Sequence, residues 1–195
     1  MRLVLASTSP YRAALLERLG LPFEVAPSHV DERAIEREGD PPAVLVRRLA
    51  RAKAERVARA HPGALVIGSD QAAVIDGAVL GKPGTAERAC AQLRAMAGRT
   101  HELLTAVCVV APQGLREHTD VHRLTMRALS DAQIARYVAL EQPLDCAGSY
   151  KIEGLGAALF GAIEGQDPTA IVGLPLSWTA STLTALGLDP LGPPT

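Results

Sequence analysis

The chain has 195 residues, 48% hydrophobic and 21% charged, with 20 basic and 21 acidic side chains and a formal net charge of −1. That length is enough to bury a core in one large domain or two small lobes. The near-neutral balance excludes the broad basic field that draws nucleic acid polymers, so any polyanion must be held by a local cluster.

The apolar run at residues 3–6 is too short for a signal peptide, and no stretch approaches a membrane span. Cys90, Cys108 and Cys146 are an odd number of cysteines with no Cys-x-x-Cys pair. This argues against a disulfide framework or a zinc site and for a reducing compartment. The expectation is a cytoplasmic protein with no membrane partner.

Residues 3–6 read as a strand, followed by Ser7-Thr8-Ser9-Pro10, a helix-start signal with a hydroxyl cap and proline in the first turn. Helical spacing runs over 11–19, with Leu15, Leu16 and Leu19 on one face, and Gly20 ends it. Residues 23–26 read as a second strand. His29-Val30-Asp31-Glu32-Arg33 reads as a polar loop leading into a charged segment. Pro41-Pro42 opens a helix to about residue 60, with Leu45, Leu49 and Ala52 facing inward and most of its charged residues solvated.

A buried strand is expected at 64–68, and a hairpin over 72–80 turning at Asp76-Gly77. A helix follows at 85–96, with Gly98 beyond its end. Strands at 103–111 and 117–127 are joined by the Pro112-Gln113-Gly114 turn. Ser130 starts a helix to about 140, with Asp131 in its first turn. Residues 148–161 are glycine-rich strand and loop, 174–186 form the last helix, and the tail from Pro190 is rich in Pro and Gly. Mixed strands and helices with no separating linker predict one α/β or α+β domain over 1–195.

Of the 20 basic residues only three are lysine, namely Lys53, Lys82 and Lys151. A chain this rich in arginine keeps lysine where a compact, strongly hydrated ammonium is needed. Each lysine lies near residues suited to phosphate chemistry. The loop opening the first helix offers backbone N–H groups and a positive dipole end, to which Ser7 adds a hydroxyl and Arg12 a bidentate donor. Asp70, expected just past a strand and beside Gln71, suits a general base or metal ligand, with Gly81-Lys82-Pro83 close behind it. Asp31-Glu32 with Lys53 suits a divalent cation between carboxylate and phosphate. Lys151 and Glu153 lie among Gly148, Gly154 and Gly156, which permit tight turns around a flat ligand. His118 and His122 lack metal-ligand geometry on a strand and read as surface residues. Cys146 has no neighbouring base in the sequence to make it a nucleophile.

Seven stretches in order resemble the Maf family of nucleoside triphosphate pyrophosphatases: Leu5–Arg12, Val30–Glu32, Gly68–Gln71, Leu80–Pro83, Gly98–His101, Ala147–Gly154 and Val172–Leu176. The chain looks most like the branch that hydrolyses 7-methyl-GTP. The resemblance implies a mixed twisted sheet with flanking helices and two lobes around a cleft, similar to inosine triphosphatases, often as a homodimer. It implies hydrolysis to 7-methyl-GMP and pyrophosphate with a divalent cation, Mg²⁺ or Mn²⁺. By the same resemblance Asp70 accepts the proton of water, Ser7, Arg12, Glu32, Lys53 and Lys82 hold the triphosphate, and Glu32 and Asp70 take the metal. Tyr11, Gln71 and Glu153 set the base. A carboxylate at 153 can accept both donors of a guanine Watson–Crick edge, and an aromatic at 11 suits a base made cationic by N7 methylation.

Three residues depart from that pattern: Tyr11 stands where the branch often has Trp, Ile152 is characteristic of the dTTP/UTP branch, and Ala106 replaces a frequent glycine. Ile152 bears on the base and not on the hydrolysis, and it makes a dTTP/UTP pyrophosphatase of the same family the first alternative. The second, implied by the family's association with septum formation, is a non-catalytic nucleotide-binding regulator of cell division.

Overall fold

The computed structural model describes residues 1–36 and 39–192. Thus 193–195 of the expected tail, and 37 and 38 of the charged segment, lie outside the described residues. In chain order the elements are β1 (Leu3–Leu5), α1 (Pro10–Glu17), β2 (Glu24–Val25), α2 (Glu32–Glu36), α3 (Pro42–Ala58), β3 (Leu65–Ile75), β4 (Ala78–Leu80), α4 (Ala86–Met96), β5 (Thr100–Ala111), β6 (Gly114–Met126), α5 (Asp131–Glu141), β7 (Phe160–Glu164) and α6 (Leu176–Ala185). The seven strands form one mixed sheet ordered β2-β1-β3-β5-β6-β7, with β4 paired to β3. The chain divides into two compact units, and the long strands β3, β5 and β6 each contribute to both. Among the described residues, no helix is long and apolar enough to cross a membrane.

The first unit comprises residues 1–70, 105–120 and the described residues from 167. β1 pairs in parallel with both β2 and β3. Strands buried on both faces need apolar residues at successive positions, and the runs Leu3–Ala6 and Leu65–Ile67 supply them. Alternate side chains then enter two layers. Leu3, Leu5, Leu65 and Ile67 pack with Leu15 and Leu16 of α1 and Leu183 of α6. Val4, Ala6 and Val66 pack with Val57 of α3. Leu16 has no exposed surface, and truncating such a leucine costs roughly 2–5 kcal/mol.

Helix α1 starts as expected: Ser9 caps it by accepting the Arg12 N–H, and Pro10 lies in the first turn. The buried stripe of α3 is Val46, Leu49, Ala50, Lys53, Ala54 and Val57. This is rotated from the expected Leu45/Leu49/Ala52 face, and it turns Lys53 inward. α2 was not expected. Asp31 Oδ1 accepts the Ala34 N–H at 3.1 Å, a local cap that places Glu32 in the first helical turn.

The second unit comprises residues 71–104 and 121–166. Ala73, Val74 and Ile75 pair antiparallel with Leu80, Val79 and Ala78. The two residues between, Asp76 and Gly77, both have positive φ, as the expected tight hairpin requires. Thr85 caps α4. Ser130 and Gln133 form a complete capping box on α5. β7 runs antiparallel to β6. His101, Tyr150 and Phe160 form an aromatic cluster, with the Tyr150 and Phe160 rings edge-on and 4.9 Å apart. His122 is buried rather than at the surface: the bare backbone of Gly165 leaves room for its ring, since a Cβ at 165 would lie 2.2 Å from it.

Candidate active site

Asp70 lies within β3 rather than past a strand end, because the strand continues unbroken from Leu65 to Ile75. The polar tetrad Gly68-Ser69-Asp70-Gln71 breaks the apolar run in the sequence without breaking the backbone ladder. Gly68 decides what faces Asp70. A Cβ at 68 would meet Ala50 O at 2.3 Å and Ala54 N at 2.7 Å, so the backbone of α3 lies directly against β3 at this point. Two residues on, along the same strand face, this approach delivers Lys53. Its Nζ lies 2.6 Å from Asp70 Oδ1 and 2.9 Å from Glu32 Oε1. Lys53 and Asp70 are buried, with 7% and 9% of their surface exposed, so their charges meet in a region of low solvent screening.

Burial raises the pKa of the Asp70 carboxyl, the largest influence on it, while the charges of Lys53 and Arg12 oppose the rise. The net shift is upward, which makes this carboxylate a better proton acceptor than an exposed one. Burial likewise lowers the Arg12 guanidinium, against the opposing charges of Asp70 and Glu32.

The second part of this site is built on the α1 start. Arg12 Nε donates to Gly173 O at 3.0 Å, and Nη1 to Ser7 Oγ at 3.4 Å. The Ser69 hydroxyl donates to the same Gly173 carbonyl at 2.9 Å. Gly173 has φ +129°, a conformation that favours glycine. A Cβ there would press on Arg12 Nε at 3.3 Å. This accounts for the glycine of the Val-Gly-Leu-Pro-Leu stretch at 172–176, whose purpose could not be read from the sequence. Ser7, Arg12, Glu32, Lys53 and Asp70 thus come together in the first unit, with Tyr11 partly exposed beside Arg12.

Two carboxylates converging on one ammonium fit a cation of the Mg²⁺ type. Such an ion usually takes one or two protein carboxylates and completes its shell with substrate phosphates and water. The described residues hold no cluster of three or more acidic, histidine or cysteine side chains able to bind a metal unaided.

The second unit carries Gln71, Lys82 and Glu153. Lys82 is exposed on the loop between β4 and α4, and Glu153 is exposed on the loop following Tyr150. That loop is anchored on α5. The Lys151 N–H donates to Tyr137 Oη at 3.0 Å, and the Leu155 N–H to Glu141 Oε1 at 2.8 Å. Lys151 Nζ donates to Glu141 O at 3.1 Å, capping the end of the helix. Sequence reasoning missed Glu141, Tyr137 and Gln92, which lie on other elements and carry no motif of their own, and it gave no role to Ser69 within Gly68–Gln71. Burial pushes the Cys146 thiol up to about 12, which keeps it in the less reactive protonated form. Cys108 is likewise pushed up to about 12.

A buried carboxylate held by a buried ammonium, and an arginine aligned at a helix start, thus sit together in the first unit of an α/β protein. The chain belongs to the Maf-like protein family, whose profile matches residues 2–186. A protein of Alkalilimnicola ehrlichii named 7-methyl-GTP pyrophosphatase is 55% identical over 193 residues, covering 97% of this chain and 96% of that one. A protein of the same name from Polaromonas sp. is 54% identical over 188 residues, covering 95% and 85%. Among solved structures, the Staphylococcus aureus Ham1 protein superposes with a TM-score of 0.48 at 13% identity, covering 80% of this chain and 90% of that one.

Proposed function

We propose that this chain is a nucleoside triphosphate pyrophosphatase that hydrolyses 7-methyl-GTP to 7-methyl-GMP and pyrophosphate, and so removes a modified nucleotide from the pool. The observation that carries the reaction is the buried Lys53–Asp70 pair, 2.6 Å apart, with Glu32 on the same ammonium. The base is supported by the relatives' names and by Glu153, an exposed acceptor on an anchored loop.

In this reading Asp70 takes a proton from water as the water cleaves the anhydride between the α and β phosphates. Ser7 donates its hydroxyl to the triphosphate, and Arg12, Lys53 and Lys82 neutralise it and the charge that develops on it. Glu32 and Asp70 would hold Mg²⁺ or Mn²⁺ together with phosphate oxygens. When bound, that cation supplies further charge neutralisation at the phosphates. Tyr11, Gln71 and Glu153 select the base. The chain is read as one domain, in the cytoplasm with its soluble nucleotides, and a homodimer is the assembly that the family resemblance implies.

The test is a panel of 7-methyl-GTP, GTP, dTTP, UTP and CTP, each with Mg²⁺ or Mn²⁺, scored for pyrophosphate. Preferred release from 7-methyl-GTP, lost on chelation with EDTA, is the expected result. Preference for dTTP or UTP would favour Ile152 over the Tyr11/Gln71/Glu153 set. Binding without turnover of any nucleotide would make the chain a regulator.

A further inference from the structure

Gln92, on the face of α4 next to two loops of the second unit, bonds to both. Its Nε2 donates to Gly81 O at 3.0 Å, and its Oε1 accepts from the Ser149 hydroxyl. A carbonyl can only accept, so Gly81 fixes which way the amide points and leaves Oε1 for Ser149. One loop presents Lys82 immediately after Gly81. The other presents Glu153 four residues after Ser149. The Gly84 N–H adds a second tie, to Leu144 O at 3.0 Å, between the Lys82 loop and the segment that leads to Ser149.

Ser149 has no exposed surface and a φ of +63°, unusual for any residue but glycine. Such a conformation persists where its surroundings over-determine it, and it clusters at ligand-reading sites. Those surroundings are visible. A Cβ at Gly148 would lie 2.7 Å from the Tyr150 ring and 2.9 Å from Ala73 Cβ, so the backbone is pressed against β3 and Tyr150. Gln92 then fixes the hydroxyl. Further along, Tyr137 and Glu141 hold Lys151 and Leu155. The loop is therefore clamped before and after Glu153, and the front clamp is shared with the Lys82 loop.

We propose that Gln92 is a positioning residue that couples the loop carrying Lys82 to the loop carrying Glu153, and so sets selection among nucleoside triphosphates without touching the nucleotide. The inference rests on the roles proposed above for Lys82 and Glu153.

The test compares wild type with Gln92→Met, which keeps the length and removes both bonds, and with Ser149→Ala, which removes one bond from the other side. Steady-state rates are measured on 7-methyl-GTP and UTP, with inorganic tripolyphosphate as a base-free inhibitor and a thermal melt on each variant. The selectivity for 7-methyl-GTP over UTP, as a kcat/KM ratio, should fall about tenfold in Gln92→Met, mainly through KM for 7-methyl-GTP. The tripolyphosphate inhibition constant should move less than about threefold, and Glu153→Gln should cost less selectivity in the Gln92→Met background than alone. If Gln92→Met does not fold, Ser149→Ala must still lower the ratio. A ratio that survives in the variants that fold overturns the inference alone. Equal losses on both nucleotides and tripolyphosphate overturn it in favour of general loosening. A wild-type enzyme with no preference for 7-methyl-GTP overturns the reading of Glu153, and this inference with it.

Discussion

Gly68 and Lys53 are linked by an absence: because residue 68 has no side chain, α3 lies against β3 closely enough for the Lys53 ammonium to reach Asp70 at 2.6 Å. The pair is thus set by backbone packing two residues away, not by the charges alone.

Gly68→Ala tests this directly. The added methyl group meets backbone atoms of α3 at 2.3 and 2.7 Å, and backbone yields less readily than the end of a flexible side chain. Overpacking of this kind costs about 1–3 kcal/mol, or roughly 2–12 °C in melting temperature at this chain length. Turnover should fall further than stability, because α3 carries Lys53 with it. Thermal melts and rates measured together decide the matter, and a variant of wild-type activity would show that the approach of α3 does not set the pair.

Asp70→Asn should lower kcat by roughly 100-fold or more. The nucleotide should still bind, since Ser7, Arg12, Glu32, Lys53 and Lys82 are all retained and the amide keeps the size of the side chain. Calorimetric binding and pyrophosphate release on the same sample give the answer. A near-normal rate would remove Asp70 as the proton acceptor.

Glu153→Gln should weaken 7-methyl-GTP relative to UTP. The change keeps the size of the side chain and removes an acceptor charge from a site proposed to face two guanine donors and a cationic ring. The loss belongs mostly in KM, because the base lies away from the bond that breaks. An unchanged kcat/KM ratio between the two nucleotides would take Glu153 out of base recognition.

His101 predicts a pH dependence of stability. Its ring is 2% exposed, with Nε2 within 3.0 Å of Tyr150 Oη, and Nδ1 has no hydrogen-bond partner among the described residues. Burial lowers its pKa to about 4. The unfolded chain takes up this proton below about pH 6.5, whereas the native state resists it down to about 4. This contribution is therefore whole above pH 6.5, is lost between about 6.5 and 4, and reaches roughly 3 kcal/mol at most. Denaturant titrations of wild type and His101→Gln from pH 7 to 4 should converge as the pH falls. Parallel curves would mean that the imidazole does not titrate differently on unfolding.

Much of this was legible in the sequence. Ser9-Pro10, Asp76-Gly77 and Ser130 are local signals, and each produced the cap or turn expected of it. Three things were not local. The tetrad Gly68–Gln71 looked like the end of a strand, because polar residues in an apolar run suggest a turn. Here they are paid for by partners on α3 and at Gly173. The facing of α3 was misjudged because Lys53 counts as polar in any periodicity, while its buried carboxylate partner is 17 residues away. Short α2 hid in a charged run with no apolar stripe to reveal it. The candidate residues themselves were found through resemblance to a family, and the structure explains how Ser69, Gly173 and Glu141 keep several of them in place.

The path of the chain carries a last consequence. It leaves the first unit after Asp70, returns at Thr105, leaves again after Asp120 and returns at Asp167. Three of these crossings fall inside β3, β5 and β6, where a cut would sever a hydrogen-bonded strand. Neither unit can therefore be excised as a contiguous gene fragment, shuffled onto another partner or expressed as a minimal half. A single peptide bond joins Asp70, the proposed proton acceptor, to Gln71, a proposed selector of the base.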